Sequence, residues 1–241
     1  MPQISEKGMA MPSSPIRKLV PFADKAKERG IKVYHLNIGQ PDIQTPDVAL
    51  QALKTCNEKV IEYTHSAGNI SYRKKLAKYY QNIGINIDEN NIMITTGGSE
   101  AITIAFMSTL NPGDEIIIPE PFYANYTAFA LMCGVKVKTV TSSIENNFAL
   151  PPISEIEKVI TPRTKGIVIV NPNNPTGYLY SKEELEQLAV IVKKHDLYLY
   201  ADEVYREFCY DGYKHFSTMQ LAGIEQNVIL LDCKRARSLQ K

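Results

Sequence analysis

Short apolar runs alternate with helix-like stretches along most of the chain. The runs cover residues 92–96, 115–119, 166–170, 197–201 and 227–232. Runs this apolar are typical of strands buried on both faces, and helical crossovers between them favour parallel pairing. The pattern therefore predicts an α/β fold, with a mostly parallel sheet and helices on both of its faces.

Two helices have boundaries that can be read from the sequence. Ser181 and Glu184 form a capping-box pattern, and apolar residues then recur on one face of the stretch that follows. A second helix is predicted from Ser14 to Arg29, because Gly30 ends the pattern.

Polar and glycine-rich segments follow the predicted strands. GGSE follows the first run, EPFY the second, NPNNPTG the third and DEVY the fourth. Ligands of open parallel sheets bind beyond the carboxyl ends of the strands. These segments are therefore expected to meet at one edge of the sheet and to form a site there.

The GGSE segment, residues 97–100, joins a strand to a helix N-terminus. Free backbone N–H groups and the positive end of the helix dipole could hold a phosphate there. A tight strand-to-helix turn would explain the same residues.

Other candidate residues also have two interpretations. Asp202 either caps a turn or is a buried carboxylate that needs a cation. Tyr123 could stack on a flat ring and Tyr205 could offer a phenol to the same pocket, or both could be core aromatic residues. Residues 171–177 are a surface turn or part of the site, and the Asn174–Pro175 bond is a candidate for the cis form.

Composition excludes several classes of function. The 241 residues carry a net charge of +1, so nothing favours a nucleic acid or an anionic membrane as a partner. No apolar run approaches the ~20 residues that span a bilayer, and no secretory signal is evident. The four cysteines are scattered and the four histidines lack metal-ligand spacing, so we expect a cytoplasmic protein with free thiols and no metal.

The motifs together resemble one known family. GGSEA, EPFY, NPNNPTG and ADEVY, in this order and spacing, are similar to the fold-type I, class I/II pyridoxal-phosphate-dependent aminotransferases. NIGQPDIQTP and YTHSAGNISYRKKLA upstream fit the same pattern, so the similarity runs from about Ile16 to Asp232. It implies an aspartate-aminotransferase-like large domain in residues 46–241, incomplete at its C-terminal end. Residues 1–45 would be an N-terminal arm with the N-terminal part of a small domain.

The resemblance implies pyridoxal 5'-phosphate as the cofactor and assigns residues to its phosphate and ring. Gly98, Ser99 and Glu100 would hold the phosphate. Tyr123 would stack on the pyridine ring.

Further roles concern the polar atoms of the ring, the substrate and the partner subunit. Asn174 and Tyr205 would donate hydrogen bonds to the ring's 3-oxygen, and Asp202 would pair with the protonated ring nitrogen and so strengthen the ring as an electron acceptor. Gly39, together with Asn174, would contact the substrate. Tyr63 would reach the cofactor phosphate of the neighbouring subunit, so a homodimer is implied.

The lysine that carries the cofactor in this family follows the strand that matches residues 227–232. In an alignment without gaps, Ala236 falls where the family has this lysine, and Lys234 is the nearest lysine. The resemblance thus implies Lys234, Asp202 and Tyr205 as the catalytic residues. The downstream arginines and the last strand of a seven-stranded sheet are expected to be absent. We therefore expect impaired activity.

The expected reaction is transfer of an amino group between an L-amino acid and a 2-oxo acid. Two alternatives remain open. One is a lyase or synthase on the same fold, whose site would share Asp202, Tyr205 and Asn174. The other is a non-catalytic remnant that only binds the cofactor.

Overall fold

Five parallel strands form a single sheet in the part of the chain that the structure describes. The computed structural model describes residues 2–39 and 43–233. The strands are β1 (Glu115–Glu120), β2 (Lys136–Thr141), β3 (Thr164–Val170), β4 (Tyr198–Asp202) and β5 (Val228–Leu231), in the spatial order β2-β1-β3-β4-β5. This topology confirms the predicted α/β fold with a parallel sheet.

Helices connect the strands and precede them. They are α1 (Glu6–Ala10), α2 (Val20–Glu28), α3 (Asp47–Lys54), α4 (Ile70–Asn82), α5 (Gly98–Thr109), α6 (Asn125–Met132), α7 (Ile153–Lys158) and α8 (Lys182–Lys194). The predicted capping box is present at α8, where Ser181 and Glu184 each bond the other's backbone N–H. The predicted N-terminal helix starts later than expected, with a 3-10 turn from Arg17, because Pro15 disfavours helical backbone at the residue before it.

The sheet is covered by apolar side chains on both faces, as predicted. Alternate residues of β3 point to opposite sides: Ile167 and Ile169 join a cluster with α7 and α8, and Val168 and Val170 join one with α5 and α6. Because neither face of the sheet meets water, its central strands have to be apolar at every position.

The strand predicted at residues 92–96 is absent. The segment runs without sheet pairing, although the Ile94 N–H bonds to the Ala67 carbonyl at 3.0 Å. A cavity of about 550 Å³, lined mainly by aliphatic side chains, separates this segment from β5. The prediction of a buried strand was wrong here, because no residue of the segment is buried, Met93 is 59% exposed, and a strand needs a neighbour within hydrogen-bonding distance.

The N-terminal part packs differently from the rest. The described residues before Arg73 include none that is buried, and α1, α2 and α3 bury no side chain. Phe22, Val48 and Leu53 are each more than 70% exposed. Within the described residues, no helix is long and apolar enough to cross a membrane.

Candidate active site

The segments that follow β1, β3 and β4 meet the start of α5 at the carboxyl edge of the sheet. They enclose a cavity of about 210 Å³. Six of the residues selected from the sequence line it, namely Gly98, Ser99, Tyr123, Asn174, Asp202 and Tyr205. Asp232 and Cys233, just beyond β5, line it as well. The Asn174–Pro175 bond is cis, as anticipated.

Asp202, the last residue of β4, presents a buried carboxylate to this cavity. Its Oδ2 accepts a hydrogen bond from the Tyr126 hydroxyl at 2.8 Å, and its Oδ1 accepts one from the Val204 N–H at 3.2 Å. Burial raises the pKa of the Asp202 carboxyl, and the two hydrogen bonds oppose that rise. Within residues 2–39 and 43–233, no cationic side chain forms an ion pair with it. Because a buried carboxylate without a cation is costly, the cavity suits a positively charged ligand.

Tyr126 is a site residue that the sequence reasoning missed. It is fully buried in α6, and its ring packs edge-on against that of Tyr123, with 6.2 Å between centroids. Burial and the adjacent Asp202 raise the pKa of the Tyr126 hydroxyl well above its usual value. The hydroxyl therefore stays protonated and serves as the donor in its hydrogen bond to Asp202. α6 is largely apolar, so a tyrosine there looks like a core residue. Its position one helical turn after Tyr123 was the available signal.

The start of α5 leaves backbone N–H groups open to the cavity. No side chain caps the first turn, and the backbone at Gly97 is extended, with φ 170°. A Cβ added to Gly97 or Gly98 would meet no atom within 4 Å, so packing does not require glycine at either position. What the glycines provide is an unobstructed approach to the N–H groups, which suits an anion such as a phosphate.

The Glu100 side chain turns away from this opening. Its carboxylate accepts a hydrogen bond from the Thr96 N–H at 2.5 Å, and hydrogen bonds from Thr96 lower the pKa of Glu100. Glu100 does not line the cavity. Its predicted contact with a phosphate concerns its backbone amide, and it stays a prediction.

Polar side chains complete the cavity wall. The pKa of the Tyr205 hydroxyl is raised mainly by burial and further by Asp202 and Tyr123, and the Asn174 side chain opposes that rise. Its phenol therefore keeps its proton and can donate a hydrogen bond. The Tyr123 hydroxyl accepts a hydrogen bond from Asn125 Nδ2 at 2.6 Å, which fixes the orientation of its ring.

The remaining sequence-selected residues lie elsewhere. Gly39 and Tyr63 are exposed and do not line the cavity, and their predicted contacts stay predictions. Lys234 lies outside the described residues. No lysine among the described residues lines the cavity. Residues 2–39 and 43–233 contain no group of three or more His, Cys, Asp or Glu that could hold a metal ion.

Known proteins resemble this chain in sequence and in fold. Residues 31–232 match the family described as aminotransferase class I and II. The aromatic-amino-acid aminotransferase 2 of Thermococcus litoralis is 34% identical over 91% of this chain and 56% of its own length. The aspartate aminotransferase of Pyrococcus horikoshii is 36% identical over 94% of this chain and 57% of its own. The solved alanine aminotransferase from Pyrococcus furiosus superposes with a TM-score of 0.90 at 31% identity, covering 98% of this chain and 61% of that one.

The family match includes all five strands and every described residue of the cavity except Cys233. The chain spans little more than half the length of these relatives. Sequence and fold agree over nearly all of the part that it does span, and the chain belongs to the class I and II aminotransferase family.

Proposed function

We propose that this chain binds pyridoxal 5'-phosphate and supplies the cofactor-binding part of an aminotransferase. The reaction would move an amino group between an L-amino acid and a 2-oxo acid. The observation that carries the proposal is the buried Asp202 carboxylate, which faces the cavity without a cationic partner among the described residues. A protonated pyridine nitrogen is a cation of the right size and polarity for that place.

The other cavity residues fit the remaining parts of the same molecule. The open start of α5, with Gly98 and Ser99, offers N–H groups and a hydroxyl to a phosphate. The Tyr123 ring offers a face on which a pyridine can stack. Asn174 and Tyr205, which both line the cavity, offer donors to a ring oxygen.

When bound, pyridoxal phosphate supplies an electron-accepting ring that stabilises negative charge developing at the substrate's α-carbon. Asp202 would hold a proton on the ring nitrogen, because the negative charge of its carboxylate stabilises the protonated nitrogen. Tyr126 orients the carboxylate by donating to Oδ2. Tyr205 and Asn174 would donate hydrogen bonds to the ring oxygen. The surrounding apolar residues, Ile102 and Val170 among them, limit the access of water.

A second copy of the chain is part of the proposal. The exposed apolar side chains of α2 and α3 need cover, and Tyr63 projects fully into solvent. In a homodimer, this N-terminal part would lie against the neighbouring copy, with Tyr63 directed at its phosphate site and Gly39 near the substrate. Free thiols at all four cysteines fit a reducing cytoplasm.

Binding measurements test the cofactor assignment. Pyridoxal phosphate and its phosphate-free analogue pyridoxal are titrated separately into the chain by calorimetry. We expect saturable binding of pyridoxal phosphate, one per chain, and much weaker binding of pyridoxal, because the start of α5 recognises the phosphate. Equal affinity for the two compounds, or no saturable binding, would refute the assignment.

A non-catalytic binding role is the second candidate, since no described lysine lines the cavity. Turnover with an amino acid and a 2-oxo acid separates the two candidates. We expect slow turnover that Lys234→Ala abolishes and Lys214→Ala, a change at an exposed lysine, leaves unchanged. Cofactor binding without turnover would favour the non-catalytic role. Turnover that Lys234→Ala leaves unchanged would favour another lysine as the catalytic one.

A further inference from the structure

A buried group of charged side chains lies directly behind the candidate active site. Glu203 follows Asp202, and Arg206 follows Tyr205, but neither Glu203 nor Arg206 lines the cavity. The side chains of Glu203 and Arg206 are 0% and 3% exposed. None of the cofactor contacts proposed above uses either residue.

Arg206 joins two segments that border the cavity. Its Nη2 lies 3.2 Å from Glu203 Oε2 and 3.6 Å from Asp232 Oδ2. The guanidinium also lies over the Tyr80 ring, 5.2 Å from the centroid, and the Tyr80 hydroxyl donates to the same Asp232 oxygen at 2.5 Å. Since Asp232 itself lines the cavity, the guanidinium connects the turn after β4 to the end of β5.

Glu203 gives this connection a rigid anchor. Its other oxygen, Oε1, accepts hydrogen bonds from the Ser217 hydroxyl at 3.0 Å and from the Thr218 N–H and hydroxyl at 2.8 and 2.9 Å. The Glu203 carboxylate is therefore fixed by contacts that do not involve Arg206. The Arg206 guanidinium contacts both this fixed carboxylate and the Asp232 carboxylate.

Strand pairing alone does not provide this link. The Glu203 N–H bonds to the Leu231 carbonyl at 3.0 Å, so β4 and β5 stay paired to their last residues without any side chain. Beyond that bond, residues of both segments line the cavity: Val204 and Tyr205 after β4, and Asp232 and Cys233 after β5. Buried ion pairs often contribute little net stability, so stability alone does not explain why Arg206 and Glu203 lie behind the cavity.

On the basis of the proposed cofactor site, we propose that Arg206 is a positioning residue for that site. By pairing with Glu203 and Asp232, it holds the Asp202–Tyr205 turn at a fixed spacing from the end of β5. The carboxylate and the phenol then meet a bound cofactor without rearrangement. Arg206 itself makes no contact with the ligand.

The test compares cofactor affinity in four forms of the full chain: the parent, Arg206→Met, Arg206→Lys and Arg73→Met. Arg73 is the matched control, because it is also buried but donates to the backbone carbonyls of Gly68 and Glu89, away from the cavity. We expect Arg206→Met to weaken pyridoxal phosphate binding by about tenfold, the lower end of what losing a residue behind a ligand costs in metal sites. Arg206→Lys should restore most of the loss, and Arg73→Met should destabilise the fold without changing affinity.

A ligand-free measurement separates this inference from the proposed function. Cys233 lines the cavity next to Asp232, and the rate at which a thiol reagent labels it reports the freedom of the chain after β5. With the other three cysteines replaced by serine, we expect Arg206→Met to accelerate labelling and Arg206→Lys and Arg73→Met to leave it near the parent rate. If the parent binds no pyridoxal phosphate, the proposed function fails and the labelling rates alone decide the role of Arg206.

Two results would overturn the inference. One is parent-like affinity and labelling in Arg206→Met. The other is an equal loss in Arg73→Met, which would show general destabilisation. If Arg206→Met does not fold, Glu203→Gln replaces it, because this change weakens the anchor while keeping its shape. Parent-like affinity and labelling in Glu203→Gln would then count against the role.

Discussion

Replacing Asp202 with asparagine tests whether its carboxylate pairs with the protonated ring nitrogen of the cofactor. The change removes the negative charge and keeps the shape of the side chain. The amide oxygen of the new asparagine can still accept from the Val204 N–H, and its amide nitrogen can donate to the Tyr126 hydroxyl, which now serves as acceptor. We therefore expect an intact fold and a specific loss of affinity for a protonated ring.

The size of that loss follows from the burial of Asp202, which is 9% exposed. Two unit charges about 4 Å apart attract by ~4 kcal/mol at an effective dielectric constant of ~20, against ~1 kcal/mol in water. Desolvation of both charges removes part of this, and hydrogen bonds to charged groups retain about 1.5–3 kcal/mol. The protonated form of the ring should therefore bind roughly 10- to 100-fold more weakly to Asp202→Asn.

Nitrogen-15 NMR of labelled pyridoxal phosphate measures this directly. The shift of the ring nitrogen reports its proton, so a pH titration of the complex shows where that proton is lost. We expect the parent to hold the proton to higher pH than Asp202→Asn. Glu115→Gln is the control, because Glu115 is also a buried carboxylate, bonded to the Thr161 hydroxyl at 2.7 Å, but it lies at the amino end of the sheet. Identical titrations in the parent and in Asp202→Asn would refute the pairing.

The same substitution has a second consequence in the ligand-free chain. Because burial raises the pKa of Asp202, its ionised form costs stability as pH rises through the folded-state pKa. Asparagine removes that cost. Calorimetry should show a higher melting temperature for ligand-free Asp202→Asn than for the parent at neutral pH, with the difference lost below about pH 4, where the aspartate is protonated in both states.

Other substitutions test individual contacts. Tyr126→Phe removes the donor to Asp202 Oδ2 and should lower the free energy of unfolding in urea by about 1–3 kcal/mol at neutral pH; an unchanged value would mean that the bond contributes nothing. Burial, together with the charge of Arg206, lowers the pKa of His215 to about 4, so the stability that depends on neutral His215 is complete above pH ~6.5 and is lost as pH falls through the folded-state pKa. Between pH ~4 and ~6.5, the unfolding free energy of His215→Gln should therefore vary less with pH than that of the parent. An unaltered pH dependence would contradict the lowered pKa of His215. Ser181→Ala breaks the capping box of α8 and should cost about 1 kcal/mol in the same urea assay, whereas a change within error would show that the cap is dispensable.

The strands show where local pattern is sufficient and where it is not. β1, β3, β4 and β5 were predicted because buried parallel strands are apolar on both faces. β2 was missed because it is an edge strand whose exposed positions include Lys136, so no apolar run marks it. The segment 92–96 has the same composition as a strand, but only its distance from β5 decides whether it pairs.

The candidate site divides in the same way. Six of its lining residues were identified from the sequence, because the segments after parallel strands must share one edge of the sheet. Tyr126 and Arg206 were not identified, because a tyrosine in an apolar helix and an arginine in a loop have no distinctive local pattern. Their roles arise only from contact with Asp202 and with Glu203 and Asp232.

The sequence by itself determined the type of most elements, the edge where the site forms and the family to which the chain belongs. Periodicity reports burial, and the order of segments along parallel strands reports which of them meet. Only the tertiary structure decided which buried polar atoms face each other. The Tyr126–Asp202 and Tyr80–Asp232 hydrogen bonds join residues 76 and 152 positions apart. Contacts of that kind depend on how helices pack on the sheet, to within an ångström, and no local pattern encodes that distance.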